Sequence, residues 1–235
     1  MKVAIITGAS RGIGASIGEG LTADGYVTAL VARSEQALKE LANKISSKVA
    51  NQNPVMTYPL DVQDHNAVQA MVKEVYSKFG RVDLLFNNAG IDMLGTTDVS
   101  IEDFDKTIAI NLRGAFSFLK AVVPIMEAQG SGTIINVASR AGKIGFPDFG
   151  VYGASKFGLV GLNEALYRQL SHKGIKVTAL CPGWVDTDMA KDSGLPKEEM
   201  ISTEDIVTTV RWLLALSPAA VVKELVIECR KSTAL

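Results

Sequence analysis

Cysteine is scarce in this chain, with only Cys181 and Cys229 among 235 residues. Two thiols placed so far apart offer neither a disulfide framework nor the paired spacing of a metal site. They imply reduced thiols in a cytoplasmic protein and no metal ion. Cys181 stands in an apolar run before a proline, so a small buried residue is a better reading of it than a nucleophile. Net charge is nearly absent as well, since 24 Lys and Arg face 25 Asp and Glu. That balance excludes a broad polyanion-binding face, so nucleic acid is not an expected partner; a local phosphate site needs only a few cations. No apolar run reaches the roughly 18 residues of a membrane span, and Met1–Ile6 is too short for a signal core. Neither a membrane nor a secretion route is therefore expected. Internal repeats, low-complexity tracts and linkers are also missing.

What remains is an ordinary globular composition. With 47% hydrophobic and 21% charged residues, a core can form without metal or disulfide. Short β-branched runs occur at Val3–Thr7, Tyr26–Val31, Val55–Leu60, Val82–Asn87, Thr133–Ala138, Lys176–Leu180 and Leu225–Glu228. Most are apolar at consecutive positions, as a strand covered on both faces requires. Helical spacing appears over Ile13–Asp24, Glu35–Ser46, Asn66–Phe79, Phe104–Glu127, Val151–His172 and Glu204–Leu216, with Pro124 expected to kink the fourth. Strands alternating with helices predict an α/β fold. It should be a single domain over 1–235 with a doubly wound, seven-stranded parallel sheet of Rossmann type. Ligands of such sheets bind beyond the carboxyl ends of the strands, so the residues after each strand carry the chemistry.

The first strand runs into Thr7-Gly8-Ala9-Ser10-Arg11-Gly12-Ile13-Gly14. Glycines permit a tight turn and close approach to a ligand, and the helix behind offers free N–H groups and a positive dipole end. A pyrophosphate suits that cradle; a tight turn without ligand is the plain alternative. No P-loop lysine follows, which disfavours nucleotide hydrolysis. The second strand ends at Ala32-Arg33-Ser34, with no acid to hold ribose hydroxyls. Arg33 and Arg11 are placed to grip a 2′-phosphate, which favours NADP(H) over NAD(H). Asp61, followed by Val62, is placed either to accept from an adenine amino group or to cap the helix near His65. In Asn87-Asn88-Ala89-Gly90 small residues let a ribose or ring pass, and Asn87 is as well suited to scaffolding as to ligand contact.

The fifth strand ends at Ser139, and Tyr152 and Lys156 follow on one helix face. An ammonium beside a phenol is expected to lower the phenol pKa, making Tyr152 an acid or base near neutrality. Ser139 is placed to hydrogen-bond a substrate oxygen. Asn111 interrupts a long apolar helix, either as a kink or inter-helix bond, or as an anchor for a water that relays protons from Lys156. After the sixth strand, Pro182-Gly183 forces a turn, followed by Trp184, Val185 and Thr187. Thr187 is placed to bond a nicotinamide carboxamide. Trp184 and Met189 suit either a substrate wall or core packing. The expected wall comprises Met93, Arg140–Phe149, Trp184 and Met189, made apolar by Ile144, Phe146 and Phe149.

These motifs, in this order and over nearly the whole length, resemble the short-chain dehydrogenase/reductase family. The resemblance implies a Rossmann-type fold and a catalytic set of Asn111, Ser139, Tyr152 and Lys156. Tyr152 is then the acid or base, Lys156 lowers its pKa and holds the nicotinamide ribose, Ser139 orients the carbonyl, and Asn111 supports the relay. Arg11 and Arg33 mark the NADP-preferring branch, whose members commonly act as carbonyl reductases. Many of that branch resemble 3-oxoacyl-carrier-protein reductases, and a carrier would meet Arg113, Lys120, Arg140 and Lys143. A non-catalytic NADP-binding regulator is the third reading, disfavoured because Tyr152 and Lys156 are both kept. The substrate is expected to be a small carbonyl or alcohol. Two departures stand out. Only Ala190–Ser202 is available to cover the site. The stretch Cys229–Leu235 also lacks the family's glycine-rich close, which puts its tetramer in question. A homodimer through 104–127 and 151–172 survives that change, so the expected assembly is a homodimer or homotetramer.

Overall fold

The computed structural model describes residues 1–48, 53–191 and 193–231; expectations for residue 192 and for 232–235 lie outside the described residues. The apolar runs become β1 Val3–Thr7, β2 Val27–Ala32, β3 Val55–Pro59, β4 Leu84–Asn87, β5 Gly132–Val137, β6 Ile175–Pro182 and β7 Glu224–Ile227. They form one parallel sheet in the order β3-β2-β1-β4-β5-β6-β7. Every residue of β1, β2 and β4 is buried, which accounts for their unbroken apolar sequence.

The helices are α1 Gly12–Ala23, α2 Glu35–Lys48, α3 His65–Phe79, α4 Ile101–Ile108, α5 Ala115–Gln129, α6 Gly150–Leu170 and α7 Thr203–Ala215. They cover both sheet faces. Ile17, Leu21, Leu38, Val207 and Val210 pack on one side with Ile6 and Leu30. Val68, Val75, Phe118, Val122 and Met126 pack on the other with Ile5 and Leu85. Burying each such side chain contributes roughly 1.5–3 kcal/mol. The fold is thus the doubly wound α/β sheet that the strand pattern implies.

The long helix expected over Phe104–Glu127 differs in detail. It begins earlier, at Ile101, and is broken by a π-helical turn at Ala109–Gly114. Asn111 lies in that turn, bonded outside the helix. Pro124 lies inside α5 without ending it. By length and mean hydropathy the helical run Ile101–Gln129 is long and apolar enough to cross a membrane, although charged residues interrupt it. It is instead a core element: Phe118, Leu119, Val122 and Met126 are buried against the sheet.

Strand order reverses between β1 and β4, so a crevice opens beyond their carboxyl ends. Thr7 closes the gap between the two strands. Its buried hydroxyl accepts from the backbone N–H of Asn88 at 2.8 Å and of Ala89 at 2.9 Å.

Candidate active site

A cavity of about 730 Å³ occupies that crevice. Every residue assigned above to the cofactor lines it except Gly14. Gly14 works from behind: a Cβ there would sit 2.3 Å from the Gly8 carbonyl oxygen, so only glycine lets α1 start against the turn. Gly8 and Gly12 have φ of +65° and +53°, and a Cβ on Gly12 would lie 3.0 Å from Thr187 Cγ2. The turn after β1 therefore touches the loop after β6 across the cleft. At the start of α1, Arg11 supplies no side-chain cap and the first turn holds no acid. Its N–H groups and positive dipole end face the cavity, a ready anion site.

Arg33 is exposed at the tip of β2 and takes part in none of the described ion pairs. Arg11 leans instead toward Asp188, at 3.8 Å with both side chains exposed, a contact too weak and solvated to hold it fast. Asp61 does not cap α3. Asp64 does, accepting from Ala67 N–H, because it stands at the helix boundary while Asp61 accepts from Gln63. Asn88 lines the cavity, but its side-chain amide is engaged with the carbonyls of Thr7 and Gly8. Asn87 is scaffolding: its amide donates to Ala115 O and Asn136 Oδ1. The Thr187 hydroxyl donates to Val185 O at 3.2 Å.

Ser139, Tyr152 and Lys156 meet at the inner wall. The Ser139 oxygen accepts from Ala141 N–H at 3.1 Å, and its hydroxyl bonds the Tyr152 phenol. Lys156 is buried, and its ammonium donates to Val137 O at 2.9 Å and lies 5.6 Å from the Tyr152 ring centre. The expected acidification of the phenol is not found. Burial pushes Tyr152 up to about 12, against the smaller downward pull of Ser139. Burial also brings Lys156 down to about 8. The physical reason is that the ammonium is directed at a backbone carbonyl and is itself poorly solvated, so desolvation outweighs pair attraction.

Asn111 does not reach the cavity surface. Its Oδ1 accepts from Ile91 N–H, and its Nδ2 donates to Ile91 O and to Ser155 Oγ, each at 2.8–3.0 Å. It sits directly behind Gly90, where a Cβ would be 3.3 Å from its Oδ1 and 3.5 Å from Lys156 Nζ. Asn111 is therefore an inter-helix bond and a neighbour of Lys156 at once. Ser155, not singled out in the sequence, completes the link by donating to the Tyr152 carbonyl at 2.6 Å. Its only sequence signal is its place one residue before Lys156.

The substrate side is aromatic. Phe149 meets Tyr152 edge-on at 6.2 Å and Trp184 edge-on at 6.0 Å. The Arg140 guanidinium lies over the Phe146 ring, and Met189 closes the far edge. Met93 does not line the cavity, nor do Gly142, Lys143, Ile144, Gly145 and Pro147 of the expected wall; Ile144 is exposed, beyond the short helical turn that follows Ser139. Asp148, inside the expected stretch, lines it, and so does Asp92, of which sequence spacing gives no sign. No cluster of metal-ligating side chains occurs among the described residues.

Comparison with known proteins places this geometry in context. A sequence profile described as short chain dehydrogenase matches residues 2–198. An uncharacterized oxidoreductase of Staphylococcus epidermidis is 34% identical over 214 residues, covering 91% of this chain and 90% of that protein. Among solved structures, a betaketoacyl-[ACP] reductase from Bacteroides thetaiotaomicron is 43% identical with a TM-score of 0.88, covering 100% and 99% of the two chains. An alcohol dehydrogenase from the archaeon Thermococcus sibiricus, complexed with 5-hydroxy-NADP, is 33% identical with a TM-score of 0.89, covering 98% and 97%.

Proposed function

The chain belongs to the short chain dehydrogenase family, and on that premise we propose that it is an NADP(H)-dependent reductase of ketones or aldehydes. The observation that carries the proposal is the shared inner wall of Ser139, Tyr152 and Lys156 at the bottom of a cleft whose other end is an anion cradle. Family members are oxidoreductases acting on CH–OH groups with nicotinamide cofactors.

The residues present fit a phosphorylated dinucleotide. Gly8, Gly12 and Ser10 with the open start of α1 would hold the pyrophosphate. Arg33, with Arg11, would hold the 2′-phosphate, and no acid at the β2 tip opposes it. Asn88, Ala89, Gly90 and Lys156 would flank the nicotinamide ribose, and Pro182, Gly183, Val185 and Thr187 the ring. A bound nicotinamide supplies or accepts the hydride. The protein's own residues do the rest. Ser139 orients the carbonyl oxygen beside the Tyr152 hydroxyl. Tyr152, kept protonated by burial, gives its proton to that oxygen as negative charge develops. Lys156, near 8, holds a proton beside the phenol and behind it Asn111 and Ser155 fix the helix that carries both. A phenol that stays protonated favours reduction over oxidation near neutrality.

A carrier-linked substrate, as in the betaketoacyl reductases, is the second reading. The rim charges speak for a free small molecule instead. Arg140 is paired with Glu228 and Lys143 with Glu224, while Arg113 lines a separate cleft with Gln63 and Asp105. A non-catalytic regulator would have no use for the buried Lys156. The assembly we assign is a homodimer or homotetramer, since α5 and α6 leave Phe116 48% and Phe157 45% exposed. We place the protein in the cytoplasm, in keeping with its two buried free thiols.

The test is a panel of ketones and aldehydes assayed with NADPH and with NADH. Carbonyl-dependent oxidation of NADPH, faster than that of NADH, is expected. No carbonyl-dependent oxidation of either cofactor would refute the reading.

A further inference from the structure

The stretch Glu228–Lys231, beyond the last strand, reaches separate parts of the substrate end. Glu228 Oε1 lies 3.1 Å from Arg140 Nε, one residue past Ser139. Cys229 is buried, and its thiol donates to the Trp184 carbonyl at 3.1 Å. Lys231 pairs with Glu199, in the segment between the wall and α7. Just before them, Gly183 N–H donates to Ile227 O at 2.7 Å, so β7 already carries the turn on which Trp184 sits.

The contacts continue inward. Trp184 meets Phe149, and Phe149 meets Tyr152. Anchoring the Trp184 carbonyl therefore fixes a ring that bounds the substrate, without touching the groups that move the proton. Anchoring Arg140 fixes a second ring of the wall, since its guanidinium lies over Phe146. Glu228 Oε2 is buried with no hydrogen-bond partner among the described residues, near the Gly183 backbone. Packing alone does not account for an unsatisfied carboxylate oxygen there.

We propose that Glu228, Cys229 and Lys231 are positioning residues that decide how bulky a carbonyl the site accepts, by holding Arg140, Trp184 and Glu199 in place. The inference rests on the carbonyl-reductase reading. It makes the stretch after β7 a selector, separate from the proton-transfer groups.

The experiment is steady-state kinetics on the full chain with NADPH and two carbonyls, propanal and propiophenone. Cys229→Ala should raise the KM for propiophenone roughly three- to ten-fold, the span of one lost hydrogen bond, and Glu228→Gln, which removes the charge facing Arg140, should raise it in the same range. The kcat for propanal and the KM for NADPH should stay within about two-fold. Cys229→Ser should keep the wild-type KM, because its hydroxyl can donate to the same carbonyl. Lys231→Ala, which removes an exposed lysine from its pair with Glu199, should shift the ratio of the two carbonyl KM values by about two-fold. An unchanged ratio in all of these, or an equal loss with both carbonyls together with lowered thermal stability, would overturn the proposal.

Emission from Trp184, read in a Trp212→Phe background without cofactor, separates the two ideas. Cys229→Ala should make Trp184 more accessible to acrylamide; identical quenching overturns the positioning role. A wild type that reduces neither carbonyl refutes the reaction reading, and the positioning role then stands or falls on the quenching alone.

Discussion

The pyrophosphate cradle of the cavity is made by one turn, with Gly8 and Ser10–Ile13 lining it, whereas the substrate end draws Arg140, Phe149, Trp184 and Met189 from separate stretches. The first works through the backbone: missing Cβ atoms, free N–H groups and one buried hydroxyl that ties β1 to β4. The second works through side chains held by remote partners, such as the Cys229 thiol 45 positions from the carbonyl it binds. A backbone site tolerates little change at its own residues or at the few that touch them, such as Asn88 and Thr187. A side-chain wall can be retuned from outside itself.

The sharpest break of that contrast is chemical. Tyr152→Phe should lower turnover by roughly 10²- to 10⁴-fold while NADPH affinity, measured by fluorescence titration, stays unchanged. Loss of both together would mean that the two ends are one structure. Next, Gly14→Val should weaken NADPH binding by roughly 100-fold, because its Cβ collides with the Gly8 carbonyl. Calorimetric titration showing wild-type affinity would remove the backbone argument. Arg33→Asp should shift the NADPH/NADH ratio of kcat/KM toward NADH by roughly 10- to 100-fold, as one charge-assisted contact becomes a repulsion. A constant ratio would show that another group reads the 2′-phosphate.

The smallest expected effect is on stability. Lys156 is buried with its pKa lowered to about 8. Below that value both folded and unfolded chains hold the proton, and the folded state bears the full cost of a buried ammonium. Between about 8 and the ordinary value near 10.5 only the unfolded chain holds it, so stability climbs with pH across that window. Lys156→Met should therefore be more stable than the wild type at pH 7 by about 2 kcal/mol, allowing for the lost bond to Val137. That advantage should shrink as pH rises from 8 toward 10. Urea titrations at both ends of the range would test it, and a constant difference would contradict the burial argument.

The same contrast governs what could be read from sequence. Strand order, helix alternation and the glycine turn follow from residue type and spacing, so the fold and the cofactor cradle were legible. Tyr152, Lys156 and Ser139 were legible because a short spacing and a strand end place them. Asn111 could be found as a polar break in an apolar helix, but not the π-helical turn that carries it or its link to Ser155. Met93 and Ile144 were assigned to the wall on polarity alone, and the turn after Ser139 carries Ile144 outward. Glu228 and Cys229 gave no local signal, because their partners come from the loops after β5 and β6. The pKa of Tyr152 was misjudged for a related reason. Spacing shows a lysine beside a phenol, but not that Lys156 is buried while Tyr152 stands half-buried at the cavity wall.

Burial of the Tyr152 hydroxyl is the center of the account, since it keeps the proton available for reduction. Nuclear magnetic resonance titration of the protein with ¹³C-labelled tyrosine, the Tyr152 signal assigned by its loss in Tyr152→Phe, measures it directly. A signal that stays protonated up to at least about pH 10 in the cofactor-free protein is the predicted result. A transition close to pH 7 would contradict it.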